Sequence, residues 1–133
     1  MNKKKNEDLM RKAEEALKDD RVKILEKKDD SYEIKDSYNG QTASLGVTIA
    51  MSGLRPALAI YQQETDGCNR LKILNAIAVM LDIVPTNNNT PGKELFDQAL
   101  KCDTTELKKL KKEVIDCSIA LKQVIRTYKL HKS

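Results

Sequence analysis

The sequence predicts an all-α protein, a compact bundle of five to six helices closed by a long C-terminal helix. Three observations carry that prediction. Aromatic residues make up 4% of the chain and Trp is absent, whereas sheets draw on aromatic and β-branched side chains. Five Gly and three Pro in 133 residues are too few for the many tight turns of a β-fold. Apolar residues recur at spacings of three and four along most of the chain, the period of helices with one buried face. The length suits one domain, so residues 1–133 read as a single helical domain.

The first helix is expected over about Asn2 to Lys28. Leu9, Met10, Ala13, Leu17, Ile24 and Leu25 form a thin apolar seam there among alternating charges, as on a strongly solvated helix. Asp29-Asp30 stops it, and Asp30 with Glu33 has the spacing of a capping box, so a second helix is expected to start there. That helix carries Ile34, Tyr38, Leu45 and Ile49, with the small residues Gly40, Ala43, Ser44, Gly46 and Ala50 between them. Small side chains let another backbone come close, and Gly53 reads as the residue that ends the helix. A short third helix starts near Pro56, which suits a first helical turn, and Thr65-Asp66-Gly67 ends it.

Leu71, Leu74, Ile77, Ala78 and Leu81 place a fourth helix over about Asn69 to Val84. Pro85 to Gly92 is the clearest loop of the chain. Thr90-Pro91 caps a brief fifth helix from Gly92 to Lys101, and Asp103 with Glu106 forms a second capping-box spacing. The final helix is expected from Thr104 to His131, about 40 Å long. Leu107, Leu110, Val114, Cys117, Leu121, Val124 and Tyr128 give it one continuous seam for core packing.

Several function classes drop out. The one histidine, His131, lies two residues from the C-terminus, leaving no imidazole base for Cys or Ser. Cys68, Cys102 and Cys117 lack the paired spacing of zinc ligands and read as reduced thiols. No phosphate-binding Gly-rich loop or His-Glu-x-x-His motif is present, so no catalytic residue, metal or cofactor is expected. Asp29, Asp30, Glu33 and Asp36 form an acidic cluster, but Asp30 and Glu33 already have an expected capping role. The start, Met1-Asn2-Lys3-Lys4-Lys5, runs into mixed charge rather than an apolar core, so no signal peptide is expected. From Ser37 to Gln63 only Arg55 is charged. Polar residues and Gly53 interrupt that stretch, and no run of about 18 apolar residues exists. A helix buried inside the domain or an assembly fits better than a membrane span.

The charge distribution points to a surface. Residues 1–40 are neutral on balance, residues 41–100 carry −1 and residues 101–133 carry +5. On a wheel of about 100° per residue, Lys108, Lys111, Lys112, Lys122, Arg126 and Lys129 fall on one arc of the last helix, with Ile115 and Ile119 in its middle. Glu113 and Asp116 fall on the far side. Such a face suits sequence-indifferent, salt-sensitive contact with phosphate backbone; the alternative is a solvated lysine-rich surface. Features for reading bases, such as a recognition-motif aromatic pair or a Gly-x-x-Gly clamp, are missing.

The central stretch Gly53-Leu54-Arg55-Pro56-Ala57-Leu58-Ala59-Ile60-Tyr61, following a small-residue helix with Tyr38 and Gly46, resembles the small helical subunit of the Cmr-type (type III-B) CRISPR effector complex. The charged first helix, the Leu- and Ile-rich fourth and the long basic last helix agree in outline. The resemblance implies a non-catalytic, cytoplasmic subunit in antiviral defence. Its partners would be the backbone and large subunits, guide RNA and target RNA, and further copies of itself along the complex, with no membrane. By place it singles out Lys122 and Arg126, and Arg55 in the central motif, for nucleic-acid contact. The alternatives are the small subunit of a type III-A complex, a helical adaptor that binds only protein, and a small enzyme.

Overall fold

The computed structural model describes every residue except Asp66, Gly67, Asn87 and Ser133. Six helices account for most of the described residues: α1 (Lys3–Leu17), α2 (Asp36–Ser52), α3 (Leu54–Ile60), α4 (Arg70–Met80), α5 (Pro91–Lys101) and α6 (Thr104–Ile125). The predominantly helical class expected from composition holds. Beside the helices lies a three-stranded sheet of β1 (Glu26–Lys28), β2 (Ser31–Lys35) and β5 (Lys129–His131), and β3 (Glu64–Thr65) pairs with β4 (Cys68–Asn69). One contiguous core draws on every helix, with Ala13, Leu45, Leu58, Ile77, Leu95 and Leu121 among its members.

The first helix is shorter than its seam suggests. Asn2 caps α1 by accepting from the Lys5 N–H at 2.8 Å. The helix stops at Leu17 because Asp19 captures the Arg21 backbone N–H at 2.8 Å, and an aspartate that bonds two residues ahead competes with the helical ladder. Val22 and Ile24 then enter the core, with exposed Lys23 between them. Lys23 turns the chain at φ 59°, in the left-handed region, so the helix does not resume there.

The expected capping box at Asp30 and Glu33 is replaced by a hairpin. Glu26, Lys27 and Lys28 pair antiparallel with Glu33, Tyr32 and Ser31, and Asp29 turns the chain at φ 54°, a left-handed conformation that aspartate tolerates better than most residues. Helix α2 begins only at Asp36. Its buried residues are Tyr38, Thr42, Leu45 and Ile49, while Gly40, Ala43, Ser44, Val47, Ala50 and Met51 are on the outside or partly so. Gly53, at φ 89°, ends α2 as expected, its N–H bonded to Ile49 O at 2.8 Å.

Helix α3 closes at Tyr61, whose hydroxyl donates to Gln41 O at 2.7 Å. The turn expected next includes Asp66 and Gly67, outside the described residues, as is Asn87 of the 85–92 loop. Helix α4, capped by Asn69, is buried on nearly all sides, as a central core helix is. It ends before Asp82, at φ 57°, rather than running to Val84. Thr90 caps α5 by accepting from Lys93 N–H at 3.2 Å, and Gly92 seats that helix hard against α4. Glu94 ties the 85–90 loop down by accepting from both the N–H and the hydroxyl of Thr86, at 2.9 and 2.7 Å. Those bonds hold its carboxyl below the usual range.

The last helix also ends early. It stops at Ile125 with Arg126 as its cap, after 22 residues or about 33 Å. The chain then returns as β5 in parallel with β2, pairing Glu33, Ile34 and Lys35 with Lys129, Leu130 and His131.

Candidate nucleic-acid interface

Helix α6 is fixed at its start by the expected capping box: Glu106 N–H donates to Asp103 Oδ1 at 2.8 Å, and Asp103 N–H to Glu106 Oε1 at 3.0 Å. Its inner face packs on α1 and α2 through Val114, Cys117, Leu121 and Val124, all buried. The remaining arc is thereby turned outward. Lys108, Lys111 and Lys112 are exposed on the first half of the helix, Lys122 is half-buried and Arg126 is exposed at its end.

The six helix cations expected to share one face are not equivalent in the structure. Lys112 lies 3.5 Å from Asp116, whose carboxylate is only 8% exposed and also meets Lys5 at 3.3 Å. Asp116 therefore lies not on a remote face but under the edge of the basic arc. Lys129 is not on the helix at all: it sits on β5, 3.8 Å from Glu33. Lys108, Lys111, Lys122 and Arg126 have no ion pair among the described residues. The face thus divides into a cluster at Lys108 and Lys111, flanked by Lys112, and a second at Lys122 and Arg126. Ten residues separate Lys112 from Lys122, about 15 Å along the axis, with Ile119, 39% exposed, between them.

Arg55 lies elsewhere. Its guanidinium donates to Ala99 O at 2.9 Å and Cys102 O at 2.7 Å, closing the otherwise open carbonyls at the end of α5. The lone charge of an uncharged stretch is thus engaged with the terminus of a neighbouring helix.

The groups a nucleophile or metal site would use are held differently. Burial raises the Cys117 thiol to about 12 and raises Cys68 and Cys102 as well, which keeps all three protonated near neutral pH. Among the described residues no three His, Cys, Asp or Glu side chains gather in a metal-binding group. In the acidic cluster, Glu33 faces Lys129 and Asp29 forms the hairpin turn. Among the described residues no helix is long and apolar enough to cross a membrane.

Sequence reasoning missed the sheet end of the molecule, where the hairpin and β5 place Tyr32 and Tyr128 beside the loop that follows α1. The alternation Tyr32-Glu33-Ile34 was the available signal.

Compared with known proteins, residues 3–128 match the family model described as CRISPR-associated protein (Cas_Cmr5). Among solved structures, the X-ray crystal structure of a CRISPR-associated Cmr5 family protein from Thermus thermophilus matches with a TM-score of 0.61 and 18% identity. The match covers 92% of this chain and 90% of that one, and at this identity it is a likeness of fold. No curated protein matches the chain significantly.

Proposed function

We propose, since the chain belongs to the Cas_Cmr5 family of CRISPR-associated proteins, that it is a non-catalytic small subunit of a Cmr-type (type III-B) ribonucleoprotein effector complex. In that role it is a single helical domain of the cytoplasm that helps assemble the complex and touches the backbone of guide or target RNA in antiviral defence. The observation that carries the RNA contact is the outward arc of α6, where Lys108, Lys111, Lys122 and Arg126 carry no ion pair among the described residues. Two cation clusters about 15 Å apart can each follow a short run of phosphates while reading no base. Lys112 and Lys129 belong to the same track with their charge shared by carboxylates, and Arg55 contributes through whatever donors its helix-capping bonds leave. The assembly role is supported by the outer face of α2, which carries no charge after Asp36 and where Val47 is 60% and Met51 83% exposed. Backbone and large subunits, and further copies of this chain, are the partners such a face would meet.

The test is RNA retention by the purified complex as a function of salt, with Lys122→Glu and Arg126→Glu combined. Each lost phosphate contact lowers the log–log salt slope by about 0.7 for single strands, so the double variant is expected to lose about 1.4 of slope while melting like the wild type. An unchanged slope refutes the RNA contact and leaves a protein-only adaptor.

A further inference from the structure

At the sheet end, a cavity of about 650 Å³ opens between the end of α1, the loop 18–25, β2 and the segment after α6, a volume in the range that takes a small ligand. Its walls include Tyr32 and Tyr128, two of the four tyrosines in the chain, over an apolar floor of Leu17 and Leu25. Tyr128 is held in place: its hydroxyl donates to Glu14 Oε1 at 2.5 Å. Tyr32 is 51% exposed, leaving much of a large ring unburied beside that floor.

The rim is charged in a particular way. Lys23 has no ion pair among the described residues, sits at φ 59°, and lines both this cavity and an adjoining one of about 420 Å³ that Arg21 and Lys72 also line. Asp19 is occupied by Arg21, whose Nε and a terminal guanidinium nitrogen reach it at 3.0 and 2.9 Å. Asp20 is exposed at the boundary of the two cavities and offers acceptor oxygens.

These parts correspond to the parts of a nucleotide. Aromatic walls take the face of a base, a carboxylate accepts from its ring N–H or amino group, and lysines take its phosphate. A bare polyanion would be repelled by Asp20, and an aliphatic ligand would leave Lys23 and Lys72 unused. We infer that this groove is a slot for one unstacked nucleobase of single-stranded RNA, with the adjoining phosphate toward Lys23 and Lys72. The inference deepens the RNA-binding function proposed above and rests on it for the source of the base. The alternative source of the same chemistry is a free mononucleotide.

The test uses the full-length chain. Tyr ring resonances are followed by NMR during titration with millimolar AMP, GMP, CMP and UMP, and affinity is measured for a twelve-nucleotide single-stranded RNA across a salt series. The variants are Tyr32→Ala, Tyr32→Phe, and the Lys122→Glu/Arg126→Glu pair. The expected result is a shift of the Tyr32 ring on nucleotide addition. Tyr32→Ala abolishes mononucleotide binding and weakens RNA about ten-fold, within the range of one lost stacking contact, with an unchanged salt slope. Tyr32→Phe keeps the ring and keeps binding. Loss of RNA in the α6 pair with no effect of Tyr32→Ala overturns the slot and leaves the RNA function standing. Mononucleotide shifts at Tyr32 without RNA binding make the groove a site for a free mononucleotide and overturn both the single-stranded-RNA slot and the RNA function. Shifts at Tyr32 only on adding purified partner subunits make the groove a protein contact and overturn the slot, as does any result with no nucleotide shift there.

Discussion

Gly92→Ala is a demanding test of how the core is built. Gly92 is the second residue of α5, and a Cβ there would lie 2.8 Å from Leu74 Cβ, 2.8 Å from Asn75 Oδ1 and 2.9 Å from Leu71 Cδ1. The Leu71 methyl is the end of a flexible side chain and can swing away. Leu74 Cβ is fixed to the backbone of buried α4. Asn75 Oδ1 is held by the Gly92 N–H at 2.8 Å, while its amide nitrogen donates to Arg21 O at 3.3 Å. The substitution therefore has to push α5 off α4, loosening Leu95 and Ala99. Overpacking of this kind costs about 1–3 kcal/mol, and a distorted buried hydrogen bond adds about 1 kcal/mol. The better helix propensity of Ala offsets at most about 1 kcal/mol. The net loss is about 2 kcal/mol, which for a domain of this size is a drop in Tm of about 8 °C. Urea unfolding followed by circular dichroism at 222 nm measures it, with the m-value as a check on two-state behaviour. A midpoint equal to or above that of the wild type refutes this close packing of α5 on α4.

Arg55→Met removes two charged donors from the α5 terminus and should cost about 2 kcal/mol in urea unfolding, with Arg55→Lys recovering part of it. A fall in RNA affinity of Arg55→Lys at equal folded fraction would add a nucleic-acid contact to that capping role. Glu94 has a folded pKa depressed by its bonds to Thr86, so its contribution is present above the unfolded carboxyl range near pH 4 and is lost as pH falls through the lower folded value. Glu94→Gln should accordingly flatten the acid limb of a stability–pH profile below about pH 4, and an unchanged limb counts against the Thr86 lock. Asp29→Val should cost about 1 kcal/mol, because a β-branched residue resists the left-handed turn, whereas Asp30→Ala should change little. A loss of about 1 kcal/mol at Asp30 would instead be the mark of an N-cap and would refute the hairpin.

Helix existence was legible wherever apolar spacing and local capping chemistry agreed. Asp103 with Glu106, Thr90-Pro91 and Gly53 all end or begin helices where their side chains and backbone demand it. Three of the misplaced stretches meet at one place in the fold. Asp30 and Glu33 satisfy a capping spacing, Ile24 and Leu25 continue a helical seam, and Tyr128 extends the seam of α6. Each of these residues is instead drawn into or beside one sheet, whose third strand comes from the far end of the chain. Parallel pairing of Ile34 with Leu130 is a tertiary event, and no window of a dozen residues carries its signal.

The same event reshapes the candidate RNA surface. A helical wheel assumes that the helix continues, so Lys129 drops onto the basic arc only if the backbone keeps turning past Arg126. Once the chain leaves as β5, Lys129 faces Glu33, and the track shortens from six cations to two clusters with an exposed isoleucine between them. The wheel also ranks Asp116 by angle alone, whereas burial beneath Lys5 and Lys112 lets its charge act on the edge of the arc with little screening. Lysine counts on a wheel therefore overstate what phosphate would meet here. The residues to weigh are Lys108, Lys111, Lys122 and Arg126, whose charge no described carboxylate shares. Because β5 also brings Tyr128 toward Tyr32, the fold that removes one cation from the track builds the aromatic wall of the groove beside it.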